Sequence, residues 1–367
     1  MANMKDTVIL PLKEPLVNTW AGNTYLFSII QNNEESFKWI NNLFIQILGV
    51  EMFEDQPPDF QFVPGVNPYS PYYLGNSWDM CPYINKYAYH RKFIKNKYPS
   101  FTEYLIESIN EGIYNYVLLD QCFRGDDKSN DYIHQSLIYG YDLREKKFYI
   151  ADHFNVSKFS FMKVDFDEVE RAFNNVDELF KGKFSPHKTF QREVSIIHAI
   201  ELQECDYRFD KELFIGFLKE YLLPEKSYGR MYSLSTLLYF GELEDCYKEY
   251  YGMDCYEMLK RYLNKLMEDD NKVYKDLRIF SFLKDHKTLM RHRVEYLIEN
   301  KIIDESNNLL DRIRAIEEDA VVMLNVFLKY YLSNDNKNVS KIIKALDSIK
   351  QQEKKFIEDL IDIMEKN

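Results

Sequence analysis

The feature that most constrains this chain is a change of period. From Tyr132 to Tyr141 the side chains alternate, with Ile133, Gln135, Leu137 and Tyr139 on one face and His134, Ser136 and Ile138 on the other; a two-residue repeat belongs to a β-strand. Leu143-Arg144-Glu145-Lys146-Lys147 is polar and turn-forming, and Phe148-Tyr149-Ile150-Ala151-Asp152 supplies a returning strand. The two strands form an antiparallel hairpin that brings His134 and Asp152 within reach of each other. From about Asp165 onward, nearly everything reads as helix. Leu310, Ile313, Ile316, Ala320, Met323, Phe327 and Tyr331, then Val339, Ile342, Leu346, Ile349, Phe356, Leu360 and Ile363, mostly recur at spacings of three and four, as in bundled helices. With 367 residues the chain has room for two cores. The expectation is an α+β protein: a domain with an antiparallel sheet over residues 1–160 and an all-helical bundle over 161–367.

Upstream, Val8, Ile9 and Leu10 read as a short extended segment, and Pro11 and Pro15 lead to Asn18-Thr19-Trp20-Ala21-Gly22-Asn23. A helix starts there, with Leu26, Ile29 and Ile30 as its apolar stripe. Phe37, Ile40, Phe44 and Ile47 predict a second amphipathic helix. Glu54 to Tyr83 collects more than half of the prolines without a sustained period and reads as a long loop region. Phe101, Leu105 and Ile109 mark another helix, and Tyr116 to Asp120 a short strand. Residues 334–338 form a polar connection and the 350s a charged, solvated face.

The 47 basic and 59 acidic residues leave a net charge of −12, which repels phosphate backbones, so no nucleic-acid partner is expected. There is no run of eighteen apolar residues and no basic-then-apolar leader, so the expected location is cytoplasmic, without a membrane partner. The five cysteines, Cys81, Cys122, Cys205, Cys246 and Cys255, are scattered and form no CxxC pair. They read as reduced thiols. Cys246 and Cys255 lack the partners zinc needs, and Asp285-His286 reads as a structural or surface pair, so no metal is expected. The twelve glycines form neither a phosphate loop nor a dinucleotide fingerprint, and no cofactor is expected.

Three features follow one another in an order suited to thiol chemistry: the amino end of a buried helix, a histidine on a strand, and a carboxylate on the next strand. The helix end lowers a thiol's pKa and offers N–H groups to an oxyanion, the histidine takes the proton, and the carboxylate fixes the imidazole tautomer. No cysteine stands at the helix start. Blander readings compete. His134 is then an ordinary strand histidine, Asp152 begins a turn, and Asp142 is a rival orienter in the same hairpin. Asn18 and Asn23 are oxyanion candidates through their amides, or simply caps. Cys81 and Cys122 read as core thiols rather than substitute nucleophiles.

The stretch Tyr132-Ile133-His134-Gln135-Ser136-Leu137-Ile138-Tyr139-Gly140-Tyr141-Asp142, followed by Phe148-Tyr149-Ile150-Ala151-Asp152, resembles the His-containing hairpin of the butirosin-biosynthesis-H type acyltransferases. These are papain-like proteins of nonribosomal-peptide and related antibiotic pathways. Asp276-Leu277-Arg278 and Asp285-His286-Lys287-Thr288-Leu289-Met290 resemble a segment of the same family. The resemblance implies a papain-like cysteine-protease domain and an amide synthase activity. An acyl group arrives on the phosphopantetheine thioester of an acyl or peptidyl carrier protein, becomes a Cys-bound acyl-enzyme, and passes to a small amine acceptor. The family's cysteine heads the first helix, and the matching position here is Ala21, with His134 and Asp152 as its partners. An inactivating Cys→Ala change and a natural loss both account for Ala21; the intact histidine and aspartate favour the first, and the chain as written is then inactive. A papain-like amidase or peptidase and a non-catalytic acyl- or carrier-binding pseudoenzyme are the alternatives.

Overall fold

The computed structural model describes residues 5–51, 56–63, 75–121, 133–155, 158–180, 194–224, 248–268 and 273–366. The chain forms two compact units, Met1–Ser36 with Ser70–Asp206, and Phe37–Tyr69 with Tyr207–Asn367. In chain order, strand β1 (Thr7–Ile9) and helix α1 (Ala21–Ile30) are followed by α2 (Ser36–Asn42), β2 (Gln46–Glu51) and β3 (Asp59–Val63). Next come α3 (Gly75–Met80), β4 (Ile84–His90), α4 (Arg91–Lys97), α5 (Phe101–Asn110), β5 (Ile113–Asp120), β6 (Ile133–Asp142), β7 (Lys147–Asn155), β8 (Lys158–Asp165), α6 (Phe166–Phe180) and β9 (Ile196–Leu202). The last elements are α7 (Lys211–Leu222), β10 (Lys248–Tyr251), α8 (Cys255–Glu268), α9 (Arg278–Glu299), α10 (Leu309–Ser333) and α11 (Asn336–Lys366).

Local signals explain several boundaries. Ser100 caps α5 by accepting from the Glu103 N–H, and Asp210 caps α7 by accepting from the Leu213 N–H, each satisfying a donor that the helix leaves without a partner. Asn334, left-handed at φ 54°, closes α10, a conformation asparagine tolerates better than most residues.

The first unit is built on an antiparallel sheet in the order β4-β9-β5-β6-β7-β8, with β1 added to β6. The predicted hairpin is its centre: β6 and β7 pair Leu137 with Ala151 and Ile138 with Ile150, with a register irregularity before Gly140. At Gly140 a Cβ would stand 2.7 Å from the Val8 carbonyl oxygen, so glycine is what lets β1 lie against β6. Tyr25, Tyr116, Leu137, Ile138, Ile150 and Ala151 are buried in the core of this unit.

The expected boundary at 160/161 falls inside this sheet. β8 begins at Lys158, and β9 pairs with β4 and β5, so the unit continues to Asp206. Ile196-Ile197-His198-Ala199-Ile200 is a buried strand in a stretch that read as helix; a short continuous apolar run carries no period to separate the two. The second predicted helix stops at Asn42. Phe44 adopts φ 60°, and Ile47 lies in β2, opposite Phe62 of β3. The expected loop from Glu54 to Tyr83 holds β3 and α3, while 54–55 and 64–74 lie outside the described residues.

The second unit has a small antiparallel sheet, β10-β2-β3, and the long helices. Its apolar core contains a polar cluster. Lys287 and Glu353 form a fully buried ion pair, and the Tyr221 and Tyr256 hydroxyls donate to Glu353 Oε2 at 3.0 and 2.6 Å. His286 packs beside them, with Nε2 2.8 Å from the Ile45 carbonyl oxygen. Glu353 therefore departs from the solvated face expected for the 350s. Among the described residues no helix is long and apolar enough to cross a membrane.

Candidate active site

The site is assembled on β6, β7 and the amino end of α1. Trp20 precedes the helix with a left-handed backbone, φ 69°, which costs a bulky residue roughly 1–3 kcal/mol and is typical of functional sites. The surroundings hold that turn: the Thr24 N–H and Oγ1 both donate to the Trp20 carbonyl at 3.0 Å, and Trp78 Nε1 donates to the Gly22 carbonyl at 2.9 Å. Ala21 is the first helical residue, and no acidic side chain lies in the first turn. The helix's own side chains therefore leave the positive end of its dipole uncompensated.

On the sheet, the Leu137–Ala151 pairing extended by one step sets Asp152 beside Ser136 and diagonal to His134, on one face. His134 Nδ1 lies 2.9 Å from Asp152 Oδ1 and 2.9 Å from its neighbour's carbonyl, Gln135 O. Both partners are acceptors. The proton is therefore assigned to Nδ1, and the neutral ring has its lone pair on Nε2, the tautomer a general base needs. The Asp152 side chain is fully buried while His134 is 19% exposed, so the carboxylate sits beneath the ring and the ring meets the surface.

A buried carboxylate is tolerated only when its lone pairs are satisfied. Asp152 Oδ1 accepts from the Tyr25 hydroxyl at 2.9 Å and the His153 N–H at 2.6 Å. Oδ2 accepts from Ser136 Oγ at 2.9 Å and Gln121 Nε2 at 3.3 Å. Gln121 also donates to Ser136 Oγ at 3.1 Å.

Tyr25 ties α1 to this carboxylate, and the segment just before the helix is tied to β7 by His153 Nε2, 3.1 Å from the Asn18 carbonyl oxygen. Ala21 and Tyr25 are four residues apart, hence on one helix face about 5–6 Å from each other. Position 21 thus lies one turn toward the amino end on the face that carries the Asp152 partner.

The remaining sequence-predicted residues sort differently. The Asn18 side-chain amide donates to the Pro15 carbonyl at 3.3 Å. Asn23 is fully buried with no hydrogen-bond partner on either amide atom, and two residues past Ala21 it points about 200° round the helix. The Asn23 amide therefore does not share the helix face of Ala21 and Tyr25. Asp142 accepts from the Arg144 and Glu145 N–H groups in the hairpin turn, eight residues up β6 from His134, about 25 Å at strand rise.

Among the cysteines, burial pushes the Cys81 thiol up to about 12. Cys255 heads α8, yet it is buried, donates to the Tyr250 carbonyl at 3.3 Å, and burial again raises its pKa well above the usual range. Neither is poised as a thiolate. Cys205 is half-buried, and Cys122 and Cys246 lie outside the described residues. His286 is pushed well below its ordinary pKa by burial and by the Lys287 charge, as befits a structural histidine. Among the described residues no group of three or more His, Cys, Asp or Glu side chains is placed to hold a metal ion.

Sequence reasoning missed Tyr25, Ser136, Gln121 and His153. Ser136 was readable as the next same-face residue after His134, and Tyr25 as the residue one turn after Ala21. Gln121 and His153 gave no comparable signal.

No known family model matches the chain, and no curated protein matches it.

Proposed function

We propose that this chain is a papain-like, amide-forming acyltransferase scaffold in which Ala21 occupies the nucleophile position, His134 is the general base and Asp152 orients it. The observation that carries the reading is the 2.9 Å contact between His134 Nδ1 and the buried Asp152 carboxylate, tied by Tyr25 to the helix that begins at Ala21. The hairpin resemblance adds the reaction class and antibiotic-type biosynthesis.

With a thiol at position 21, His134 Nε2 takes the Sγ proton and the thiolate adds to the carbonyl of a carrier-bound thioester. Backbone N–H groups of the first turn of α1 receive the oxyanion. Collapse expels the phosphopantetheine thiolate, which takes the proton back from His134, and leaves an acyl-enzyme. A small amine then attacks, His134 removes its proton, and the amide departs as Sγ is regenerated. No cofactor of the protein's own takes part.

Ala21 itself favours a second reading, a non-catalytic protein that binds an acyl chain or its carrier. The two separate on the Ala21→Cys variant treated with an acyl-pantetheine thioester. The acyltransferase reading predicts an acyl mass increment at residue 21 that an added amine releases as an amide; release by water alone points to an amidase. No increment at any pH between about 6 and 9, the range in which histidine and cysteine titrate, leaves the binding protein.

A further inference from the structure

Tyr25 and His134 address the same two oxygens. The Tyr25 hydroxyl lies 2.8 Å from the Gln135 carbonyl and 2.9 Å from Asp152 Oδ1. His134 Nδ1 lies 2.9 Å from each. Each donor brings one proton, and a carboxylate oxygen has more than one lone pair, so both donors can reach Asp152 Oδ1 at once, with the Gln135 carbonyl as the alternative acceptor for either. Both acceptors belong to the strands that hold the ring, and the phenol belongs to the helix that holds position 21.

We propose that Tyr25 is a positioning residue that sets both the orientation and the basicity of His134 by sharing Asp152 Oδ1 with it. The inference rests on the acyltransferase reading for its catalytic meaning, though not for its geometry. A hydroxyl donated to a carboxylate oxygen spreads the negative charge and weakens its pull on an imidazolium. Tyr25 therefore moderates the pull of Asp152 on the ring while tying the ring's orientation to the helix that carries position 21. Among the described residues, titratable groups near this place include His153 on β7, whose ring is 6.2 Å from that of Tyr25, Tyr116 on β5 at 5.8 Å, and Asp120 at the end of β5, paired with Ile133 beside His134 and accepting from Asn175 Nδ2 at 3.0 Å.

The test uses the full chain with Ala21 unchanged. Tyr25→Phe keeps the ring against Tyr116 and Phe159 and deletes only the hydroxyl. The His134 titration midpoint, followed by nitrogen-15 NMR and assigned with His134→Gln, rises in Tyr25→Phe by about half a pH unit or more, within the ordinary spread of histidine shifts in proteins. An unchanged or lowered midpoint in a variant that melts like the parent overturns the proposal. A second measurement needs no variant: the Tyr25 hydroxyl proton in the parent chain is slow to exchange and gives a cross-peak to the His134 ring, and fast exchange without that cross-peak overturns it equally. The catalytic half is read separately, from alkylation of Ala21→Cys with and without Tyr25→Phe. The hydroxyl deletion moves the low-pH limb of the rate profile in the same direction as the NMR midpoint. If the thiol introduced at position 21 reacts without regard to His134 while the NMR shift stands, the acyltransferase reading fails and the hydrogen-bond square does not.

Discussion

Tyr25 of α1 and Asp152 of β7 are joined by a 2.9 Å hydrogen bond across 127 residues of chain. That one contact fixes the amino end of a buried helix relative to a carboxylate that itself holds an imidazole. Thiol-based acyl transfer needs such a relationship between a nucleophile position, a base and an orienting group.

Asp152→Asn is expected to lower the stability of the full chain by about 3 kcal/mol, because an amide places N–H groups among donors that need an acceptor and removes the charge facing His134. Urea unfolding measures the loss. Asp142→Asn, in the exposed hairpin turn, serves as the control and shifts the midpoint little.

His198 on β9 gives the first unit an acid-sensitive element. Burial, reinforced by the Lys86 charge, pushes its pKa down to about 3, against about 6.5 for an unfolded histidine. The unfolded chain then binds the extra proton first, so this contribution to stability is present above about pH 6.5 and is lost as the pH falls toward about 3. His198→Phe, which keeps a ring against Tyr116, is expected to flatten the pH dependence of the unfolding midpoint across that window.

In the second unit, Lys287→Met is expected to destabilise by about 3–5 kcal/mol, because it leaves the Glu353 charge buried without its cation. Adding Glu353→Leu recovers part of the loss, and the unmet Tyr221 and Tyr256 hydroxyls keep the recovery incomplete. Chemical unfolding of the two single variants and the double variant gives the coupling directly.

Gly140→Ala is expected to detach β1 from β6, since the added methyl meets the Val8 carbonyl at 2.7 Å; overpacking of this kind costs about 1–3 kcal/mol. Hydrogen exchange at the Leu10 N–H, which donates to the Tyr139 carbonyl at 2.8 Å, reports the loosening locally.

Much of this was legible in the residues because period carries it. The alternation through His134 and the return to Asp152 specify a hairpin, and the three-and-four spacing from Leu310 to Ile363 specifies the two long helices. Ile196 to Ile200 and Gln46 to Glu51 were not legible as strands, since a strand buried on both faces has no polar alternation to read. The chain's passage into the second unit at Phe37 and back at Ser70 left no composition signal, because it depends on β2 pairing with β10, a strand far along the chain. The donors around Asp152 come from α1, β6, β7 and the residue that follows β5, and such convergence is a property of the fold rather than of any local pattern.

The most direct test is the rate of iodoacetamide labelling of the Ala21→Cys chain as a function of pH, alone and combined with His134→Gln. The predicted result is a thiol that reacts well below the pH at which free cysteine becomes a thiolate, about 8.5, with this advantage lost in the His134→Gln combination. A thiol at position 21 that labels with the profile of free cysteine, indifferent to His134, would contradict the pairing of that position with the His134–Asp152 dyad.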